Sequence, residues 1–261
     1  MEKVALITGA SGGIGLELAR LFAYDKKNLL LVARNESKLA KIKQELEKDH
    51  LIKVFILAVD LSLIEGFYSI QEFVKQHNLL VEYLVNNAGF GDYGAFTERS
   101  IEKYREMLGL NINALTELTH SYAKEMVERG SGRILNVASV AGLQPDPYFG
   151  VYGATKAYII SLTEALHKEL ENTGVTATVL SPGVTETGFM ERADMSKAKI
   201  YKSGVMNAKD VALVGYRGMM RGTLHVIPGV KNKILGFLSS TMPPSNLRLA
   251  ISAKIMEKLR D

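Results

Sequence analysis

The chain has 261 residues, long enough to bury a substantial core and near the upper end for one domain. Its apolar fraction of 47% and mean hydropathy of +0.04 are those of a soluble globular protein, and no apolar run approaches the roughly 20 residues needed to cross a bilayer. Lys and Arg total 32 against 28 Asp and Glu, basic residues are scattered rather than striped, and cysteine is absent, which argues against a nucleic-acid surface and excludes disulfides and thiolate metal sites.

Short apolar runs alternate with amphipathic stretches, the pattern of an α/β protein built on a doubly wound parallel sheet. Candidate strands are Val4–Ile7, Leu29–Val32, Val54–Ala58, Tyr83–Val85, Arg133–Val137, Ala177–Leu180 and Leu224–Ile227. Candidate helices are Leu16–Tyr24, Ser37–Lys48, Ile64–Gln76, Ile112–Glu128, Val151–Glu171 and Ala208–Met220. Asn207, with Asp210 in the following turn, reads as an N-cap for the last of these. No linker, repeat or low-complexity block interrupts the pattern, so residues 1–261 are expected to form a single domain of about seven strands with helices on both faces. Ligands of such sheets bind beyond the carboxyl ends of the strands, which singles out the residues found there.

The first strand runs into Thr8-Gly9-Ala10-Ser11-Gly12-Gly13-Ile14-Gly15 and then a helix. A glycine-rich turn in that context lets the backbone approach a pyrophosphate and aims a helix N-terminus at its charge. Its spacing, Gly9-x-x-x-Gly13-x-Gly15, differs from the commoner Gly-x-Gly-x-x-Gly fingerprint. The second strand ends at Ala33-Arg34, where such folds usually place an acid for the ribose 2′-hydroxyl. Ala33 removes that carboxylate, Arg34 supplies a guanidinium suited to a 2′-phosphate, and Ser11 adds a hydroxyl. These residues favour NADP(H) over NAD(H). Glu36 is near enough to be an offset ribose ligand, and Arg34 could instead solvate a helix start.

Further along, the third strand leads to Asp60-Leu61, the fourth to Asn86-Asn87-Ala88-Gly89 and the fifth to Ser139. Tyr152 and Lys156, four apart on a helix, project from one face. An ammonium held there favours the phenolate and lowers a Tyr pKa from about 10 towards working pH. A phenol so tuned can exchange a proton with a carbonyl or alcohol oxygen, which the Ser139 hydroxyl could also hold. In a chain with 11 tyrosines a Tyr-x-x-x-Lys pair is expected about once by chance, so its weight comes from its neighbours in the pattern.

Thr8-Gly9-x-x-x-Gly13-x-Gly15, Asn86-Asn87-Ala88-Gly89, Ser139, Tyr152-x-x-x-Lys156 and Pro182-Gly183, in this order and spacing, resemble the short-chain dehydrogenase/reductase family from about residue 3 to about residue 226. The resemblance implies a Rossmann-fold oxidoreductase that moves hydride between a nicotinamide cofactor and a carbonyl or alcohol. It implies a catalytic set of Asn111, Ser139, Tyr152 and Lys156, in which Asn111 kinks its helix and holds a water linking Lys156 to solvent. Asn113 competes for that role, and aligning Leu118-Thr119 with the family's helix favours Asn111. The implied cofactor set is Gly9, Ser11, Gly13, Ile14, Gly15, Arg34, Asp60, Leu61, Asn87, Ala88, Gly89, Tyr152, Lys156, Pro182, Gly183, Thr185 and Thr187. Within it Asp60 contacts adenine, with a helix N-cap as its alternative role, Lys156 grips the nicotinamide ribose, and Pro182-Gly183 with Thr187 fixes the nicotinamide amide. Family members commonly pair two long helices across a two-fold axis, so Ile112–Glu128 and Val151–Glu171 are expected to build a homodimer or homotetramer.

Loops 90–96, 143–149 and 184–206 should wall the substrate pocket, the last of them as a lid. Their Phe90, Tyr93, Leu143, Tyr148, Phe149, Phe189 and Met190 suggest a mainly apolar aldehyde, ketone or 3-oxoacyl substrate. Residues 228–261 are atypical of the family: an apolar piece (Ile234–Leu238), a Pro243-Pro244 break and an amphipathic helix from Asn246. That helix is expected to pack on its own domain or a partner subunit, with a membrane surface as the less favoured alternative. The five histidines stand far apart without ligand spacing, so no metal is expected. With no export signal, the expected compartment is the cytoplasm. The rival function is a catalytically silent, cofactor-binding regulatory or interaction protein, which the complete Asn111–Ser139–Tyr152–Lys156 set disfavours.

Overall fold

Val4 to Thr8 are all buried, with Ala5 and Ile7 in one apolar layer and Val4 and Leu6 in another. A strand apolar on both faces belongs between two layers of helices. The computed structural model, which describes residues 1–189, 193, 205–241, 249, 252 and 253, has that arrangement. Strands β1 (Glu2–Thr8), β2 (Asn28–Ala33), β3 (Val54–Ala58), β4 (Leu79–Asn86), β5 (Gly132–Val137), β6 (Val175–Leu180) and β7 (His225–Val226) form one sheet in the order β3-β2-β1-β4-β5-β6-β7. Every pair is parallel.

The helices are α1 (Gly13–Tyr24), α2 (Glu36–His50), α3 (Ile64–Gln76), α4 (Ile101–Leu108), α5 (Leu115–Glu128), α6 (Gly150–Glu169), α7 (Ala208–Arg221) and α8 (Val230–Thr241). On one face Leu18 and Phe22 of α1, Leu39 and Leu46 of α2 and Val211 and Met219 of α7 pack on the sheet. On the other, Ile70 and Val74 of α3 join Leu118, Tyr122 and Met126 of α5. Each such side chain contributes about 1.5–3 kcal/mol when fully buried, so these rows, rather than helix propensity, seat the helices. Strand order reverses at β1, with β2 on one side and β4 on the other, and this opens a crevice at the carboxyl ends between them.

All seven expected strands are present. β4 begins earlier than Tyr83, because Glu2 to Val4 of β1 pair back to Leu79. β7 is cut to His225–Val226, since only Val179 and Leu180 pair with it. Helix α4 is not among the expected elements. Ser100 caps it, its hydroxyl accepting from Lys103 N at 3.4 Å, and Tyr104 and Met107 bury its inner side. The expected helix from Ile112 instead opens with a π-helical turn, Gly109–Ala114, and is α-helical only from Leu115. Asn207 caps α7, accepting from Lys209 N at 2.8 Å. Met190 and most of the expected lid lie outside the described residues, as do Pro243-Pro244 and most of the expected helix from Asn246. Among the described residues no helix is long and apolar enough to cross a membrane.

Candidate active site

The crevice between β1 and β4 is stitched by side chains at the strand ends. Thr8 Oγ1 accepts from Asn87 N and Ala88 N, both at 3.0 Å, and Asn87 Nδ2 donates to Thr8 O at 3.0 Å and Gly9 O at 3.3 Å. Gly9 takes φ +66°, and a Cβ on Gly15 would sit 2.5 Å from both Asn87 Nδ2 and Gly9 O. No other residue fits the turn at these two places. Gly13 faces Thr187, whose Cγ2 would be 2.8 Å from an added Cβ. Helix α1 opens behind this turn with no side-chain cap and no acid in its first turn, so its leading N–H groups and dipole point into the crevice. Bare backbone, small residues and uncapped N–H groups fit a dinucleotide pyrophosphate. Ser11 lies within the turn, Ile14 packs on the first core layer and Leu61 in the second.

At the ends of β2 and β3, Arg34 Nη1 stands 3.6 Å from Asp60 Oδ2, with the Arg34 side chain 65% exposed. Burial works to raise the Asp60 carboxyl, but two hydrogen bonds from Ser62 and the Arg34 guanidinium overcome it and hold it below the usual range. Asp60 is not the helix N-cap considered above: α3 starts behind Leu63, while Asp60 Oδ1 accepts from Ser62 N at 2.9 Å and Oγ at 2.8 Å. Arg34 also directly precedes the start of α2, which Asn35 caps by accepting from Lys38 N at 2.9 Å, so the exposed guanidinium stands both at the end of β2 and at a helix start.

Helix α6 carries Tyr152 and Lys156 on one face, both buried, with Lys156 Nζ 5.6 Å from the Tyr152 ring centre and donating to Val137 O at 2.9 Å. Ser139 begins the turn after β5, its hydroxyl accepting from Ala141 N at 3.2 Å and donating to Pro182 O at 3.4 Å. Asn111 sits in the π-helical turn and is buried, whereas Asn113 is exposed. Asn111 Nδ2 donates to Phe90 O at 3.0 Å and Thr155 Oγ1 at 3.1 Å, and its Oδ1 accepts from Phe90 N at 3.2 Å. Gly89 lies against both Asn111 and Lys156. Thr185 donates to Gly183 O at 2.9 Å and pairs with Met206, closing the two ends of the 184–206 segment, and Thr187 follows with a hydroxyl 3.4 Å from Thr185 O. Phe149 and Phe189 flank the Tyr152 ring, with centroids at 4.3 and 5.3 Å, and Tyr93 packs on Phe149.

The electrostatics differ from expectation. Burial pushes the Tyr152 phenol well above its ordinary value, against a downward pull from the Ser139 hydroxyl. Burial likewise pushes the Lys156 ammonium down to about 8. In this arrangement desolvation is the largest influence on both groups, and the Asp146 carboxylate adds to the upward push on the phenol.

Sequence reasoning missed three contributors. Thr8 opened the glycine motif with no role of its own assigned, and its hydroxyl joins β1 to β4. Thr155 links Asn111 to α6 by donating to Tyr152 O at 2.7 Å. Asp146, in the 143–149 loop, is a buried acid that carried no motif. A chain from Ser181 Oγ to His225 Nε2 (2.8 Å) and from His225 Nδ1 to Glu164 Oε1 (3.0 Å) has the distances of a hydrolytic triad. Ser181 is wholly buried, so its hydroxyl is no nucleophile and the chain instead ties β6 to β7. A groove of about 520 Å³ lies at the opposite edge of the sheet, by Arg133, His167 and Thr176, and none of the expected site residues line it.

The sequence matches the model of the short chain dehydrogenase family over residues 3–198. The ketoacyl reductase HetN of Nostoc is 33% identical over 229 residues, covering 86% of this chain and 78% of its own. A short-chain dehydrogenase from Sphingobium yanoikuyae in complex with NADPH matches with a TM-score of 0.81 at 29% identity, covering 93% of this chain and 97% of its own. A short chain dehydrogenase/reductase from Burkholderia phymatum in complex with NAD matches at 0.80 with 26% identity, covering 91% and 92%. With that family model spanning most of the residues and a similar overall fold in solved relatives, the chain belongs to the short chain dehydrogenase family and is an oxidoreductase of that type.

Proposed function

We propose that this oxidoreductase is an NADP(H)-dependent carbonyl reductase acting on a mainly apolar aldehyde, ketone or 3-oxoacyl compound. The observation that carries the reading is the meeting of Tyr152, Lys156, Ser139 and Asn111 at the strand ends, next to the glycine turn and inside an aromatic wall. Arg34, exposed at the end of β2 beside Ala33, supports the 2′-phosphate form of the cofactor, although relatives are seen with NADPH and with NAD. Phe149, Phe189 and Tyr93 around Tyr152 support an apolar substrate, and HetN's description as a ketoacyl reductase keeps acyl substrates in the class.

When bound, the nicotinamide supplies the hydride. Gly9, Ser11, Gly13, Ile14 and Gly15 hold the pyrophosphate side, Arg34, Asp60 and Leu61 the adenosine side, Asn87, Ala88 and Gly89 the backbone beside it. Pro182, Gly183, Thr185 and Thr187 with Lys156 hold the nicotinamide side. Ser139 and Tyr152 hydrogen-bond the carbonyl oxygen and stabilise its developing charge. Tyr152 keeps its proton at neutral pH in this buried setting, which suits it to protonate that oxygen in the reductive direction. Lys156 and Asn111 then serve to return a proton to Tyr152. The protein acts in the cytoplasm as a homodimer or homotetramer, with 184–206 as the substrate lid.

Turnover of NADPH and NADH against a panel of aldehydes, aryl ketones and 3-oxoacyl thioesters tests the reading. Reduction of at least one class with NADPH preferred is expected. Tight NADPH binding without turnover of any carbonyl would favour the silent, cofactor-binding alternative.

A further inference from the structure

Asp146 is an acid in an expensive place. It is 8% exposed, and the partners described for its side chain are neutral: Gln144 Nε2 at 3.1 Å and Ser252 Oγ at 2.9 Å, both on Oδ1. Burial pushes its carboxyl above the usual range against the pull of those two bonds. Burying a carboxyl without a cation costs free energy, so the surroundings must over-determine its position. Its own carbonyl accepts from Phe149 N at 3.1 Å, in the turn that leads into α6, and the Phe149 ring lies on Tyr152. One residue thus joins the start of the catalytic helix to Ser252, more than a hundred positions later and itself 2% exposed.

Two further contacts bring the C-terminal part of the chain to the same crevice. Asn232 of α8 lies so close to Gly183 that an added Cβ would be 2.5 Å from its Nδ2. Gly236 of α8 lies against Leu143, whose Cδ1 would be 2.9 Å from an added Cβ. The contacts therefore run from the expected nicotinamide segment, along the 143–149 loop, to Asp146.

We propose that Asp146 is a positioning residue that holds Ser252 against the 143–149 loop and so sets the size of substrate the site accepts. This rests on the carbonyl-reductase reading above. The carboxyl does no chemistry on the substrate; it fixes how far the loop carrying Tyr148 and Phe149 stands from Tyr152.

The test uses the full chain with Asp146→Ala, Ser252→Ala and the hydroxyl-retaining Ser252→Thr. Hydrogen exchange around Ser252 should quicken at least ten-fold in the two alanine variants and stay near wild type in Ser252→Thr. The ratio of kcat/KM for a bulky aryl ketone to that for a short aldehyde should change at least ten-fold in the alanine variants, mainly through KM, and be restored in Ser252→Thr. Unchanged exchange overturns the proposal. Faster exchange with an unchanged substrate ratio overturns it as well, because the contact would then be merely structural. A wild type that turns over no carbonyl would sink the reductase reading, and this proposal with it, whereas a defect in the variants' ratio or exchange bears on the pin alone.

Discussion

The two sides of the crevice are built by different physical means. On the β1–β3 side the site is made of backbone, glycine and a few charges: Gly9 and Gly15 leave room, Asn87 braces the turn, and an exposed Arg34 stands 3.6 Å from a half-buried Asp60. On the β5–α6 side it is made of buried titratable groups, with Tyr152, Lys156 and Asp146 all taken out of water and Tyr152 set among aromatic rings. The first side works by shape and screened charge. The second works by desolvation, which strengthens every interaction and makes every uncompensated one costly. Substitutions on the two sides should therefore fail in different ways.

The largest effect is expected from Tyr152→Phe. Losing a general acid costs about 10²–10⁴-fold in rate, while cofactor affinity should stay within a few-fold because the hydroxyl serves the substrate. Turnover and cofactor titration measure the split. A variant with most of its activity would show that the buried side does not do the chemistry.

Lys156→Met should also abolish turnover and yet raise stability, since it removes an ammonium that burial holds near 8. Below pH 8 the folded chain bears the full cost of that charge. An unfolded Lys keeps its proton to about 10.4, so between the two values the unfolded state binds more protons and wild-type stability rises with pH. The gain at pH 7 should be about 1–3 kcal/mol and should shrink above pH 8. Thermal melts of both proteins at pH 7 and 9.5 check it, and a destabilised variant would mean that the Val137 bond outweighs desolvation.

Ala33→Asp with Arg34→Ala probes the exposed side. Charge-assisted hydrogen bonds are worth about 1.5–3 kcal/mol, so the NADPH-to-NADH ratio of kcat/KM should fall roughly ten-fold or more. Stability should hardly move. If wild type already prefers NADH, Glu36 or another acid binds the ribose.

The smallest effect is expected from Asn113→Ala, an exposed position where turnover should change less than about two-fold and stability by less than about 0.5 kcal/mol. Asn111→Ala, two residues away, leaves the Phe90 amide and carbonyl without their partner and should cost turnover about ten-fold or more. Equal responses from the two asparagines would erase the register that the π-helical turn imposes.

Local chemistry in the amino-acid sequence determined much of this. Strand runs such as Val4–Ile7, the glycine turn, the Asn207 cap and the four-residue step from Tyr152 to Lys156 are short-range features, and periodicity and sterics act within a few residues. Strand ends could be read because a doubly wound sheet sends them all to one edge. Only the tertiary structure decided the order of β1 and β4 across the crevice, the π-helical turn that buries Asn111 and exposes Asn113, the sign of the Tyr152 and Lys156 shifts, and the meeting of Asp146 with Ser252. Each of these depends on groups far apart in the chain and on how much water is excluded between them. Desolvation is a property of the packed volume, and no window of sequence contains it.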